Sequence, residues 1–85
     1  MENLKLIVLM NNQILLSQIE EVGAEIGEPD CKLIDPYIVN QSTLGIDPWL
    51  SVFTVKNIFM MSSDKILTIT EPNEKLISNY KELVK

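Results

Sequence analysis

Apolar residues fill nearly every position from Leu4 to Met10, with only Lys5 clearly turned outward, the pattern of a strand buried on both faces. Asn11 and Asn12 come next. Asn tolerates positive φ better than any residue but glycine, so the pair predicts a tight two-residue hairpin. The second strand then runs from Gln13 to Val22, antiparallel to the first. It passes from apolar Ile14, Leu15 and Leu16 to polar Ser17, Gln18, Glu20 and Glu21, with Ile19 and Val22 still available to a core. Such a strand is expected to bend, its second half largely wet. Gly23, Gly27 and Pro29, set among Glu25, Glu28 and Asp30, mark a polar loop in which the chain turns back.

Cys31 to Asn40 reads as a third strand. It contains Pro36, which cannot donate to a ladder and so belongs at a bulge or on an unpaired side. The stretch from Gln41 to Leu50 holds Gly45, Asp47-Pro48 and the single tryptophan, Trp49, and predicts a loop anchored by that indole. A fourth strand from Ser51 to Met61 alternates and is rich in β-branched and aromatic residues. A polar turn of Ser62, Ser63, Asp64 and Lys65 separates it from a short fifth strand, Ile66 to Ile69. The period then changes: Leu76, Ile77, Tyr80, Leu83 and Val84 share one helical face, with Glu74, Lys75, Ser78, Asn79 and Glu82 opposite. This predicts a helix over about residues 72–84, capped by Thr70 or Glu71, with Pro72 in its first turn, where a missing N–H costs nothing. Lys81 and Lys85 in its final turns suit the helix dipole.

An 85-residue chain holds one domain with one small core. Its hydrophobic content of 46% is globular and somewhat high for so small a surface, which points to apolar surface buried against further copies of the chain. The longest apolar run, Leu6 to Met10, falls far short of the roughly 20 residues that span a bilayer, and no export signal is visible. A soluble protein that contacts no membrane is expected. The lone cysteine, Cys31, rules out an intramolecular disulfide and suits a reducing compartment such as the cytoplasm.

Charge narrows the partners. A net charge of -5 with seven lysines and no arginine argues against broad electrostatic binding to nucleic acid, so any such contact must be local. With no histidine and one cysteine, nitrogen or sulfur metal sites within one chain are excluded, and no nucleophile has a histidine base to activate it. Glu20 and Glu21 are neighbours in a strand and point to opposite faces, poor geometry for acid and base work. No catalytic activity, metal or cofactor is therefore expected. Glu20, Glu21, Glu25, Glu28 and Asp30 lack the spacing of a calcium loop, and a solvated acidic face is preferred. Ser62, Ser63, Asp64 and Lys65 offer backbone N–H groups, hydroxyls and one ammonium to a nucleotide, although the same residues are ordinary turn formers. Trp49, Tyr37 and Phe53 could stack bases, but Trp49, following a proline in a loop, is expected to plug a core. Cys31 reads as a small buried hydrophobe, and Met60 and Met61 as packing at a subunit edge.

The order of elements, with one long bent hairpin, a very short last strand and one terminal helix, resembles the Sm-like fold, the small, strongly bent, open five-stranded β-barrel of the Sm and LSm proteins. Leu9-Met10-Asn11-Asn12-Gln13 followed by Leu15-Leu16-Ser17-Gln18-Ile19 resembles that family's first motif, an apolar strand, an Asn-Gly turn and a second strand with a small residue at its bend. Phe59-Met60-Met61-Ser62-Ser63-Asp64-Lys65-Ile66 resembles the second motif, a strand, an Ile-Arg-Gly-like turn and a strand. Here Ser62 and Ser63 stand where the family has Arg-Gly, so the guanidinium that contacts RNA is absent. Asp30, Cys31 and Lys32 stand near where the family places an Asp and an Asn that hold a base. The helix follows the strands, whereas the family commonly has it before them, and the pattern is most similar to small Sm-like proteins of marine phages, which implies the cytoplasm of a bacterium or a phage-infected cell.

What the resemblance implies is a homo-oligomeric ring of five to eight subunits. In it the fourth strand of one subunit (Phe59, Met60, Met61) pairs with the fifth of the next (Ile66, Leu67, Thr68, Ile69). Two apolar edge strands are an aggregation hazard unless paired, which points the same way. RNA would then meet Asp30, Cys31 and Lys32 together with Ser62, Ser63, Asp64 and Lys65. The alternative is a ring that binds other proteins as an assembly scaffold, which the acidic face and missing arginines favour.

Overall fold

The computed structural model describes residues 3–51 and 53–84. The first apolar run forms β1 (Leu4–Leu9), paired antiparallel with β2 (Ile14–Glu21). Leu6 lies opposite Leu16 and Val8 opposite Ile14 on one face, while Ile7 lies opposite Leu15 on the other. Each face has its own core. Leu4, Leu16 and Val39 sit beneath α1 (Glu74–Leu83), whose Leu76 and Tyr80 complete that cluster. Ile7, Leu9, Leu15 and Leu33 form the second cluster, with Trp49, Phe59, Met61 and Ile66 packed against it. β1 is apolar at every position but Lys5 because it contributes to both.

Beyond β2 come β3 (Cys31–Val39), β4 (Ile46–Pro48), β5 (Ile58–Met61) and β6 (Ile66–Thr70). The strands form a six-stranded open antiparallel sheet in the order β4-β3-β2-β1-β6, with β5 sharing the outer edge of β3 with β4. The expected count of five strands is thus exceeded, because Ile46–Pro48, within the segment read as a loop, pairs with Val39, Ile38 and Tyr37. The expected fourth strand from Ser51 is reduced to Ile58–Met61. Ser51 and residues 53–57 have no ladder partner in β3, and Val52 lies outside the described residues. Trp49 does pack against the core, edge-on to Phe59 at 5.7 Å.

The connection between β5 and β6 forces this sheet to roll. Five Cα steps from Met61 to Ile66 reach at most roughly 19 Å. Met61 sits against Cys31 and so level with Glu21 of β2, whereas Ile66 sits against Leu9, whose N–H bonds to Gln13. In a flat sheet those corners would be about 33 Å apart, from four strand spacings across and eight residues along. A rolled sheet brings them within reach, and the 3-10 turn Ser63–Lys65 spans the gap.

Three local features differ from, or sharpen, the expected pattern. The β1–β2 connection is a three-residue loop rather than a two-residue one: Asn12 N–H bonds to the Leu9 carbonyl, Leu9 N–H bonds to that of Gln13, and Asn12 alone has positive φ, at 70°. A type I turn closed by one left-handed residue needs only one Asn in that conformation. Pro36 lies at a bulge as expected. The β2–β3 register shifts between Leu16, opposite Tyr37, and Gln18, opposite Ile34. Asp35 and Pro36 thus face the single residue Ser17, and Asp35 takes φ 51°. The buried Ser17 hydroxyl lies 2.8 Å from the Gln18 carbonyl and 3.1 Å from that of Ile34, so the bend of β2 is held by its own small residue. The helix begins at Glu74 and is capped by Asn73, whose side chain accepts from Leu76 N–H at 2.9 Å, rather than by Thr70 or Glu71. Leu83, at the end of the expected apolar face, remains exposed.

Leu44, also exposed, holds φ 61° between β3 and β4. A side chain there costs about 1–2 kcal/mol, of which glycine's greater freedom in the unfolded chain returns part. Leu44→Gly is expected to stabilise the fold by roughly 0.5–1 kcal/mol, seen as a higher urea midpoint with an unchanged slope.

Candidate functional site

Asp30 and the polar turn after β5 meet across a gap of more than thirty residues in sequence. The Asp30 carboxylate accepts from Ser63 N–H and from the Ser63 hydroxyl, each at 2.7 Å. The sheet puts them together: Asp30 precedes the pairing of Cys31 with Met61, and its carbonyl takes Val22 N–H at 3.0 Å. The turn is pinned at both ends. Lys65 N–H bonds to the Ser62 carbonyl at 3.1 Å, and the Lys65 carbonyl accepts Met10 N–H at 2.9 Å. Asp30 thus supplies from afar the cap that the Ser62 side chain does not give this 3-10 turn.

Hydrogen bonds from Ser63 hold the Asp30 carboxyl below its ordinary value of 3.8. A carboxylate with a depressed folded-state pKa contributes stability at pH values above its unfolded pKa, and loses it as pH falls through the folded value. Ser63→Ala removes the hydroxyl half of the pair. The variant is expected to melt below the native protein at neutral pH, with the difference narrowing once the pH drops through the carboxylate range. Thermal melts from pH 7 down to 3 would check this. A constant difference would mean that the hydroxyl acts independently of the charge.

The seven residues expected to meet RNA do not form one patch. Ser63, Asp64 and Lys65 are exposed and Ser62 half-buried. Cys31 is buried, and burial, with Asp30 adding to it, pushes its thiol pKa up. Lys32 pairs with Met60 while Cys31 pairs with Met61, so successive side chains project from opposite faces of β3. Facing the turn is a cleft of about 330 Å³ whose lining includes Glu25, Glu28, Asp30 and Asp64 and neither Lys32 nor Lys65. Its charge repels phosphate, and the Ser63 N–H is taken by Asp30. Among the described residues no group of three or more His, Cys, Asp or Glu is placed to hold a metal, and no helix is long and apolar enough to cross a membrane.

The residues expected at a subunit edge divide by face. Phe59 and Met61 of β5 and Ile66 of β6 turn to the core. Met60, Leu67, Thr68 and Ile69 are exposed, as is Ile58 beside them. A larger cleft of about 460 Å³ is lined by residues of β1, β2, β3 and β6, Ile19, Cys31 and Ile69 among them. Sequence patterns do not reveal it, because those residues come together only when the sheet rolls. The profile of DUF6561, described as a family of unknown function, matches residues 2–85. No curated protein matches the chain.

Proposed function

We propose that this chain, which belongs to the DUF6561 family of unknown function, is a self-assembling module in which the β5 edge of one copy pairs with the β6 edge of the next, closing into an Sm-like ring. The observation that carries this is the state of those two edges. Strands joined by four residues ordinarily pair with each other as a hairpin, yet β5 pairs with β3 and β6 with β1. The Ser63–Asp30 and Met10–Lys65 bonds hold them so. Among the described residues nothing pairs with the outer side of either strand, and each carries large apolar side chains that are about half exposed: Ile58 48% and Met60 51% on β5, Leu67 57% and Ile69 48% on β6.

Exposed apolar edges invite pairing, and two different edges on one chain give a head-to-tail contact that forms a ring if its rotation closes. Five to eight copies fit this scheme. The strand order supports the Sm-like comparison, since the last strand returns to the first and leaves the preceding one at the opposite edge. Light scattering across micromolar concentrations is expected to give a mass several times 9.7 kDa. A protein that stays at one copy throughout would overturn the proposal.

Within that scheme a scaffold for protein partners has better support than an RNA-binding ring. The Ser63 N–H is occupied by Asp30, the neighbouring cleft is acidic, and Cys31 is buried. Fluorescence anisotropy with U-rich and A-rich oligonucleotides at low salt separates the two. Binding at micromolar ring concentration would restore the nucleic-acid role of the 62–65 turn and residues 30–32.

A further inference from the structure

We infer that the segment between β4 and β5 is an arm that clasps the neighbouring copy, with Phe53 and Val55 as its contact residues; this rests on the edge-pairing proposed above. The edges alone are too small. A strand of four residues is about 14 Å long, and a sheet about 10 Å thick presents on the order of 150 Å² along it, against roughly 800 Å² per partner in a typical stable interface. Further apolar surface must join the contact, and it is to be sought beside an edge that is already engaged.

The arm is in that place. β4 and β5 lie along the same outer edge of β3, so the segment joining them emerges from the edge that β5 offers. It holds Phe53 81% exposed and Val55 entirely exposed. It is also braced. Trp49 N–H bonds to the Pro36 carbonyl at 3.0 Å, Phe53 N–H and Thr54 N–H both bond to that of Leu50, at 2.9 and 3.2 Å, and the Asn57 amide reaches the Asp35 carboxylate at 2.6 Å. Leu50 takes φ 62° to make this turn, a conformation unfavourable for a residue with a side chain and one that persists only when the surroundings impose it. Internal bonds and backbone strain together hold two large apolar side chains out of their own core, in line with an edge that seeks a second copy. A second copy of this chain is the occupant to which continuity with the β5 edge points.

The test uses the full chain. Phe53→Ser with Val55→Ser is expected to raise the concentration needed for assembly by about tenfold or more, with the monomer's circular dichroism and melting unchanged because neither side chain is packed. Phe53→Cys carrying an environment-sensitive fluorophore gives the second readout, Cys31 being buried. Its emission is expected to shift blue over the concentration range in which the mass rises. A mass that rises without an emission shift, or a double Ser variant that assembles like the native chain, overturns the arm and leaves edge pairing intact. A native chain that never assembles removes both.

Discussion

Tyr80→Ala is expected to cost about 3–5 kcal/mol, the range for deleting a fully buried aromatic side chain, in a domain of this size whose whole stability is on the order of 4–13 kcal/mol. The ring of Tyr80 has no exposure and packs edge-on to Tyr37 at 5.5 Å, between α1 and the outer face of the sheet. Its hydroxyl donates to the Asp35 carbonyl at 2.9 Å, lies 3.3 Å from that of Ile34, and accepts from the Gln18 amide at 3.2 Å. Those partners are the residues of the β2–β3 bulge, so one side chain seals the helix and fixes the bend on which the roll of the sheet depends. Burial pushes the phenol's pKa upward, which keeps it a donor at neutral and mildly alkaline pH. Urea unfolding measures the loss, and Tyr80→Phe separates its parts: removing the hydroxyl alone leaves a carbonyl without its donor and is expected to cost about 1–3 kcal/mol. If the two variants were equally destabilised, ring packing would contribute nothing, contrary to its burial.

Met60→Pro is expected to eliminate assembly while sparing the monomer. Asp35 N–H bonds to the Asn57 carbonyl at 2.8 Å, and antiparallel alternation then gives Phe59 and Met61 the bonds to Leu33 and Cys31 and directs the backbone of Ile58 and Met60 outward. Proline is tolerated on an edge strand where its missing N–H faces away from the ladder. Met60→Pro therefore removes a donor that β3 does not use and that, in the proposed assembly, a neighbouring copy would engage. Phe59→Pro, one residue away, removes a donor used within the chain and is expected to loosen β5 from β3. On the other edge, Ile69 lies between Thr68 and Thr70, which pair with Val8 and Leu6, and Ile69→Pro is expected to behave as Met60→Pro does. Light scattering and thermal melts on the three variants form one experiment. Native-like assembly by Met60→Pro would exclude β5 as the pairing edge.

What the sequence revealed depended on how local each signal is. The double-sided burial of β1, the helix and the bulge at Pro36 follow from periodicity and from the chemistry of one residue, and they were legible. β4 was not, because three residues ending in a proline carry no period and acquire strand character only from pairing with Tyr37, Ile38 and Val39. The alternation from Ser51 onward misled for the opposite reason: Phe53 and Val55 are good strand residues with no ladder to join. Of the candidate site, the meeting of Asp30 with the 62–65 turn was anticipated, but its purpose was not. The Asp30 carboxylate, expected to face a ligand, also caps Ser63, a bond that no sequence pattern shows. Tyr80 could have been singled out as the one polar-tipped side chain in an apolar helical stripe, since a buried phenol needs a partner.

The pairing of β6 with β1 also sets how this chain must fold. Leu6 and Thr70 are partners, and closing a loop of some 64 residues between them costs on the order of 3.7 kcal/mol before any contact repays it. The β1–β2 hairpin, with its three-residue loop, can form early and repeatedly, whereas its free side must wait for the distant segment. Docking of β6 is therefore expected to be the slow, late step, with relative contact order rather than stability limiting the rate. Until it happens, the strand that contributes to both cores has one side uncovered. That brief interval is when copies of this chain are most prone to join out of register.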